Sequence, residues 1–377
     1  MSLRLRVALS AAASQDDGIT GSEHVGLKHQ RETAVEHFIG IDVSLEQSSL
    51  CVVDASGKIV REVKVASEPE ALVGFCREFG RTIARIGLEA GPLSQWLHAG
   101  LARAGFEVVL LETRQVKAAL SAMTVKTDRN DARGIAQLLR MGWYRPVHCK
   151  TVPAQEIRAL LTGRKLLLGK LLDVEFGIRG LLRGFGLKVG TVSKGRFVAR
   201  VRALIAGQPM LERVIEPMLR AREALNTEFR VLHRAMLTSV REDAVCRRLM
   251  TVPGVGAVVA ITFTSAVDDP TRFAKARAVG AHFGLTPRRY QSGETDIVGN
   301  ITKLGDGMVR AALYEAANVM LTRSGKFSVL KHWALEVAKR RGLKRAKVAL
   351  ARKLSVVLLR IWTTGGVFRF GKETVAA

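Results

Sequence analysis

Four carboxylates stand where the sequence could build a metal site. Asp42 ends one β-rich run, Glu89 ends a later one, and Asp128 with Asp131 opens a helical stretch. Three or four acids around Mg²⁺ stabilise the attacking and leaving oxygens of an in-line phosphoryl transfer. Singly, each acid has an ordinary explanation as a turn residue or a solvated residue at a helix start. Together they predict a Mg²⁺ site, with Mn²⁺ as a substitute.

The helical stretch over residues 126–140 is patterned to carry its acids inward. Read as a helix with Thr127 near its N-cap, it places Asp128 and Asp131 on one stripe with the apolar residues of the following turns. Each carboxylate on an apolar face costs several kcal/mol unless a cation meets it. A divalent metal ion would meet this need, and a solvated first turn is the alternative.

The charge balance indicates a polyanionic partner. The 377 residues include 59 Lys and Arg against 34 Asp and Glu, a net charge of +25. This excess is hard to explain by solubility alone and points to nucleic acid. The four cysteines are far apart and form no zinc-ligand spacing or disulfide framework, which fits a reducing cytosol. No apolar run approaches the roughly 18 residues of a membrane span.

Changes of pattern along the chain predict four segments. Residues 1–35 read as a disordered extension, although their start superficially resembles a secretory signal. Residues 36–150 follow the order βββ-α-β-α-β-α-α, with a helix predicted over 68–85. This is an α/β, ribonuclease-H-like (RuvC-like) layout. Residues 151–245 predict a long antiparallel helical hairpin, either a dimerising coiled coil or a plain linker. Residues 246–377 predict a mostly helical C-terminal domain.

The predicted fold of residues 36–150 explains how distant acids can meet. In this layout the first and fourth strands are neighbours, so Asp42 and Glu89 fall side by side. The last helix packs over these strands and carries Asp128 and Asp131. We therefore expect all four acids to converge on one place.

Two motifs in the C-terminal part predict contact with DNA. Residues 249–256 match a helix-hairpin-helix pattern, whose Pro-Gly-x-Gly turn offers the backbone N–H groups near Gly254 and Gly256 to a phosphate. A plain interhelical turn is the alternative. Residues 284–306 predict a glycine-punctuated loop with Ser292 among cations. Taken alone, Ser292 is better explained as a Ser-Gly turn, because no histidine or lysine stands at a recognisable base spacing.

The basic C-terminal segment predicts wrapping by nucleic acid. Residues 331–377 contain 12 Lys and Arg against two acids, and their apolar residues recur with helical spacing. Across the whole chain, the predicted nucleic-acid contacts are Lys126, Arg129, Arg133, Gly254, Gly256, Arg288, Arg289, Lys303, Lys339, Arg340, Arg341, Lys344, Arg345 and Lys347.

Five motifs in this order resemble the IS-one-ten (IS110) family of insertion-sequence transposases. They are the Phe-Ile-Gly-Ile-Asp-Val run, Glu89, the Lys-Thr-Asp-Arg-Asn-Asp-Ala-Arg run, Val-Pro-Gly-Val-Gly, and Gly-Leu-Thr-Pro-Arg-Arg-Tyr-Gln-Ser-Gly. The resemblance covers about residues 36–330. It implies a RuvC-like domain and a serine transposase domain joined by a coiled coil.

The resemblance also implies a mechanism. Asp42, Glu89, Asp128 and Asp131 would bind Mg²⁺, and Ser292 would attack DNA to form a covalent phosphoserine. A structured bridge RNA would pair with double-stranded donor and target DNA and so choose the sites. We expect a cytoplasmic, nucleoid-associated bacterial protein that acts as a homo-oligomer, a dimer or, in the synaptic complex, a tetramer.

Two rival classes remain open from the sequence. A metal-dependent, RuvC-like junction resolvase or nuclease would use the four acids and leave Ser292 as a turn residue. A non-catalytic nucleic-acid scaffold would use the positive charge alone. The nuclease would still cleave strands after Ser292→Ala. The scaffold would keep its function after Asp128 or Asp131 is exchanged for Asn.

Overall fold

The chain divides into two compact units, residues 1–149 and 150–377, in a computed structural model that describes residues 35–371. The predicted disordered extension over residues 1–35 lies, apart from Val35, outside the described residues. Each unit has its own hydrophobic core. The finer division of the second unit at residue 245 stays a prediction.

One mixed sheet forms the centre of the first unit. Its order is β3-β2-β1-β4-β5-β6, with β1 antiparallel to β2 and parallel to β4. The predicted three-stranded meander and the predicted neighbourhood of the first and fourth strands are confirmed. The sixth strand was not predicted. The strands are β1 (His37–Asp42), β2 (Gln47–Asp54), β3 (Ile59–Ala66), β4 (Ile83–Glu89), β5 (Val108–Leu111) and β6 (Pro146–Val147).

Four helices accompany this sheet, and one of them is shorter than predicted. The expected helix over residues 68–85 ends at Glu78, because Gly80 takes a left-handed φ of 64° that breaks the helical path. Residues 83–85 belong instead to β4, where Ile83 pairs with β1. The helices are α1 (Pro69–Glu78), α2 (Ser94–Arg103), α3 (Thr113–Leu120) and α4 (Asp128–Arg140).

Helix α4 lies directly on β1 at Gly40. A Cβ atom at this glycine would be 2.2 Å from the backbone oxygen of Ala132 and 2.3 Å from the backbone nitrogen of Ala136. The two backbones therefore meet without intervening side chains. The predicted N-cap is confirmed, since the Thr127 hydroxyl accepts a hydrogen bond from the Asn130 N–H. The close approach determines where the first turn of α4 lies relative to the sheet.

Two long helices dominate the start of the second unit, α5 (Val152–Gly184) and α7 (Pro209–Glu242). They pack antiparallel, because Arg222 pairs with Glu175 at 2.7 Å while Arg164 donates to His233 at 3.1 Å. The segment between them is not merely a connection, since it contains helix α6 (Phe197–Ile205) with its own small core. The helical hairpin is thus present, and a coiled coil stays a prediction.

The rest of the second unit is helical around one large core, with a single hairpin of strands among the described residues. The predicted loop over residues 284–306 is wrong in this part: residues 287–292 and 295–301 pair as antiparallel strands. The elements are α8 (Ala244–Leu249), α9 (Ala257–Val267), α10 (Ala278–His282), β7 (Pro287–Ser292), β8 (Thr295–Ile301), α11 (Gly307–Thr322), α12 (Val329–Arg341) and α13 (Leu343–Thr364). Within residues 35–371, every helix is too short or too polar to cross a bilayer.

We expect Gly40→Ala to destabilise the first unit. The added methyl group would overlap the α4 backbone, which must move away, at a cost of about 1–3 kcal/mol in the free energy of unfolding. Chemical denaturation monitored by circular dichroism measures this loss. Gly74→Ala is the matched control, because Gly74 lies exposed on α1 with open space around it and should be neutral or slightly stabilising. Equal stability of the two variants would contradict the close approach.

Candidate active site

Asp42 and Glu89 lie side by side at the ends of two parallel strands. Ile41 of β1 pairs with Leu88 of β4, so the next residue along each strand falls at the same sheet edge. Both acids line a cleft of about 360 Å³, whose other walls come from the loops that follow β1 and β4. Neither loop carries a further acid into this cleft.

Helix α4 brings the other two acids into electrostatic range of Asp42. Asp131 is partly buried, and Asp128 is exposed in the first turn. The expectation that Asp128 points at the core is wrong, because the buried residues of α4 begin only at Ala132 and the first turn extends beyond them. The deeper residues of the predicted stripe are buried, as expected: Ile135, Leu138 and Leu139.

The charges of this cluster are felt most strongly at Asp42. Burial first, and then the charges of Asp131, Asp128 and Glu89, raise the pKa of Asp42 from 3.8 to about 6. The nearby Lys126 opposes this shift. The pKa of Glu89 is also raised, chiefly by burial, although a hydrogen bond from Thr113 acts in the other direction. The first unit therefore holds negative charge together against mutual repulsion.

The donor set of this cluster fits a hard divalent ion. All four side chains offer carboxylate oxygens, which Mg²⁺ and Mn²⁺ prefer, and bound positive charge would relieve the repulsion seen at Asp42. Within residues 35–371, however, no three His, Cys, Asp or Glu side chains lie close enough together to hold a metal ion. The acids thus fit the ion by chemistry and charge, without a preformed ligand shell.

Ser292 lies in the second unit, at the tip of the β7–β8 hairpin. It pairs with Thr295 across a two-residue turn in which Gly293 has a φ of 54°. Every residue of β7 is exposed, so the Ser292 hydroxyl is accessible from solvent. Tyr290 and Ser292 point to the same face, because side chains alternate along a strand. This face therefore carries a hydroxyl group and an exposed aromatic ring together.

The base of the hairpin is held much more tightly than its tip. The Lys303 N–H donates to the Gly284 carbonyl at 3.1 Å, and a Cβ atom at Gly284 would be 2.2 Å from the Leu304 nitrogen. The Arg310 guanidinium donates to the carbonyls of Phe283 and Gly305. The base is thus fixed by hydrogen bonds and close packing, and Ser292 lies roughly 17 Å farther along β7 from Pro287, at about 3.4 Å per residue.

Several predicted nucleic-acid contacts are engaged within the fold. Arg129 and Arg133 both bind the carboxylate of Glu62, whose pKa falls to about 2 through these hydrogen bonds. Arg289 makes two 2.8 Å hydrogen bonds to Asp296 across the hairpin. Lys339 pairs with Glu336 at 2.8 Å.

The remaining predicted contacts fall into two groups. In the segment predicted as a helix-hairpin-helix, Gly254 has a φ of 85° and packs where a Cβ atom would be 2.3 Å from the Ala316 oxygen, while Gly256 is the N-cap of α9. Gly254 thus has a packing reason of its own. The other group is exposed or partly exposed: Lys126, Arg288, Lys303, Arg340, Arg341, Lys344, Arg345 and Lys347.

Sequence reasoning missed two residues that organise the site. Glu62 lies on β3 and binds two arginines of α4, and Arg310 lies on α11 and clamps the hairpin base. Both act across long sequence separations, which a local pattern does not reveal. The hairpin itself had a signal, since β-prone residues flank a two-residue Gly-Glu turn.

The raised pKa of Asp42 predicts a pH-dependent gain from Asp42→Asn. Below about pH 3.8 the carboxyl is neutral in both the folded and unfolded states. Between pH 3.8 and 6 the unfolded chain loses its proton first, so the native protein loses stability as the pH rises. In metal-free buffer at pH 7, Asp42→Asn should therefore raise the free energy of unfolding by roughly 1–3 kcal/mol, and much less near pH 4.

Asp54→Asn is the control for the Asp42 prediction. Asp54 accepts hydrogen bonds from Ser56 and Lys58, which lower its pKa, so its removal should not stabilise the protein at pH 7. Thermal unfolding at pH 4 and pH 7 compares the two variants. A gain from Asp42→Asn that is the same at both pH values would contradict the electrostatic origin.

Comparison with known proteins gives matches along nearly the whole chain. The model of the DEDD domain of IS110 transposases, described as "Transposase", matches residues 39–186, and one described as "Transposase IS116/IS110/IS902 family" matches residues 246–331. The transposase for insertion sequence element IS1111A of Coxiella burnetii is 27% identical over 94% of this chain and 98% of its own length. A putative transposase of Sinorhizobium fredii is 28% identical over 94% of this chain and 92% of its own length.

Among solved structures, RuvC of Thermus thermophilus matches 29% of this chain and 99% of its own length, at 15% identity. The TM-score of 0.23 is too low to indicate a shared fold. The two family matches together span well over half of the chain, on either side of residues 187–245, and the relatives match it along nearly its full length. The chain belongs to the IS110 family of transposases, enzymes that catalyse the transfer of DNA strands.

Proposed function

We propose that this transposase cuts and rejoins DNA through Ser292, with a divalent metal ion held by Asp42, Glu89, Asp128 and Asp131. The observation that carries the proposal is the pairing of two features in one chain. The first unit concentrates repelling carboxylates at a cleft, and the second presents a serine at the exposed tip of a projecting hairpin. The two features lie in different units, and we propose that strand transfer needs both.

The carboxylates would supply the electrostatic part of the reaction. When bound, Mg²⁺ would stabilise negative charge on the oxygens of the reacting phosphate. Asp42 and Glu89 would hold the ion at the sheet edge, and Asp131 and Asp128 would approach it from α4. Asp128 is exposed, whereas the other three acids are partly buried, so its side chain would have to order when the ion binds.

The serine would conserve the energy of the broken bond. A bond forms between Ser292 Oγ and phosphorus as the bond from phosphorus to one deoxyribose oxygen breaks. The hydroxyl proton ends on the departing oxygen. One phosphodiester is thereby exchanged for another ester, so attack by a different strand can reverse the step without ATP. An exposed serine at a hairpin tip can reach a phosphate that a duplex presents on its outside.

An RNA guide is part of the proposal. We propose that a bridge RNA pairs with donor and target DNA, and that the protein grips backbones and does not read bases. The net charge of +25 and the exposed cations of α12 and α13 support this division of labour. In this scheme the sites are chosen by base pairing, as the family resemblance implies.

The metal should stabilise the wild-type protein through the acid cluster. Adding millimolar Mg²⁺ or Mn²⁺ should raise the melting temperature, because ion binding to the folded state removes the repulsion around Asp42. Glu89→Gln with Asp131→Asn should abolish that rise without lowering stability in the presence of chelator. Glu107→Gln on the same unit is the control, since Glu107 pairs with Arg85 and lies outside the cluster. A rise that survives in the double variant would exclude these acids as ligands.

Ser292→Ala should abolish both the covalent protein–DNA adduct and strand exchange, while DNA binding stays within about twofold of wild type. Denaturing electrophoresis of labelled DNA after reaction in Mg²⁺ detects the adduct. Thr295→Ala is the matched control, because it removes the hydroxyl directly opposite Ser292 and leaves the hairpin sequence otherwise intact. Strand cleavage that persists in Ser292→Ala would identify a metal-only nuclease. Strand exchange that persists in Glu89→Gln with Asp131→Asn would show that the acids are not catalytic.

A further inference from the structure

A deep cationic groove runs along helix α13 in the second unit. It encloses about 950 Å³, and seven Lys and Arg side chains line it. Among residues 35–371, no Asp or Glu contributes to its lining. We call it the α13 groove. Six of its cations are Arg277, Lys303, Arg345, Arg352, Lys353 and Arg360.

The floor of the α13 groove is apolar. Val356 and Val357 of α13 contribute to it, together with Leu330 and Trp333 of α12. The cations of α13 recur on the same side of the helix as this floor, since positions 345, 349, 352, 356 and 360 fall on one stripe. Positive charge therefore borders an apolar surface along several helical turns.

This combination selects for an unpaired nucleic-acid strand. A duplex presents its phosphates outward and keeps its base faces stacked inside, so it gains little from an apolar floor. A single strand exposes both phosphates and base faces, which cationic borders and apolar or aromatic surfaces bind together. Trp333 is the aromatic group of the floor, and the Lys353 ammonium lies 4.3 Å from its ring centroid. A cation and an aromatic ring are thus neighbours in the groove lining.

The position of the groove indicates which strand it would take. Gly299, Asn300 and Ile301 of β8 form part of its wall, and the same hairpin carries Ser292 at its tip. Ser292 lies opposite Thr295, roughly 17 Å along the strand from Asn300 in this wall, at about 3.4 Å per residue. From Arg345 to Arg360 the helix runs about 22 Å, enough for a few nucleotides. We infer that the α13 groove binds the unpaired DNA next to the phosphodiester that Ser292 attacks. Binding of a single strand in the groove does not depend on the serine chemistry. The position of that strand beside the cleavage point rests on the proposed function.

Charge reversal in the groove lining tests the binding. Lys344 is the seventh cation of that lining. Lys344→Glu with Arg345→Glu should fold normally, because both residues are exposed in the first turn of α13, where acids suit the helix dipole. The full-length variant should bind a 12-nucleotide single-stranded DNA at least tenfold more weakly in fluorescence anisotropy. Its dependence of log affinity on log salt should be shallower by roughly 1.4, about 0.7 for each lost phosphate contact. Affinity for the same sequence as a duplex should fall by a smaller factor than affinity for the single strand.

Two further variants distinguish binding in the groove from a general effect of charge on affinity. Lys165→Glu with Arg213→Glu makes the same charge change at exposed positions of α5 and α7 and should leave single-strand binding within threefold of wild type. Trp333→Ala, checked for folding by its melting temperature, should weaken single-strand binding and spare duplex binding. Equal losses for single strand and duplex, or equal losses in the control, would overturn the inference. Tighter binding of an RNA strand of the same sequence would overturn the assignment to DNA.

Single-strand binding in the groove and the serine chemistry are tested by different measurements. Ser292→Ala should keep full single-strand affinity, because Ser292 does not line the groove. Unchanged single-strand binding in Lys344→Glu with Arg345→Glu would end the inference and leave the serine chemistry untouched. A covalent adduct that persists in Ser292→Ala would end the proposed function without affecting the groove.

Discussion

The close approach of α4 to β1 at Gly40 is the constraint on which the acid cluster depends. At that point the helix and strand backbones meet with no side chain between them. The first turn of α4 is thereby held above the sheet edge where β1 and β4 end, and Asp131 comes within electrostatic range of Asp42. A larger residue at position 40 would lift the helix and separate the charges. Packing at one glycine thus determines the electrostatics two residues away.

Once α4 is in place, the first unit carries an electrostatic burden. Like charges gather at a partly buried cleft, and the cost appears as the raised pKa of Asp42. Elsewhere on the same sheet, Glu62 lies between Arg129 and Arg133, and its pKa is lowered. One carboxylate is therefore paired with arginines within the fold, whereas Asp42 keeps a raised pKa, which the proposed divalent ion would relieve. This contrast is typical of a site built for a ligand.

The second unit has the opposite character. Ser292, the proposed nucleophile, lies on an exposed hairpin whose base is held by Arg310 and by close backbone packing at Gly284. Its cations gather along α13 around an apolar floor. A rigid support with an accessible tip allows a hydroxyl to meet a phosphate without a pocket that encloses the duplex. The second unit thus presents Ser292 on an exposed strand and its cations along an open groove.

The sequence by itself determined the order of the first five strands in the first unit and the helix that carries Asp128 and Asp131. Hydrophobic alternation, turn residues and the Thr127 cap are local signals, so the meander, the strand neighbours and α4 could be predicted. Local signals also predicted the pair of long helices, α5 and α7, in the second unit. What only the tertiary structure decided depends on contacts between residues far apart in sequence: the exposure of Asp128, the capture of Arg129 and Arg133 by Glu62, and the groove along α13. The hairpin under Ser292 lies between these cases. Its two strands pair only with each other and lie exposed, so no buried face gave them the alternation by which strands are recognised.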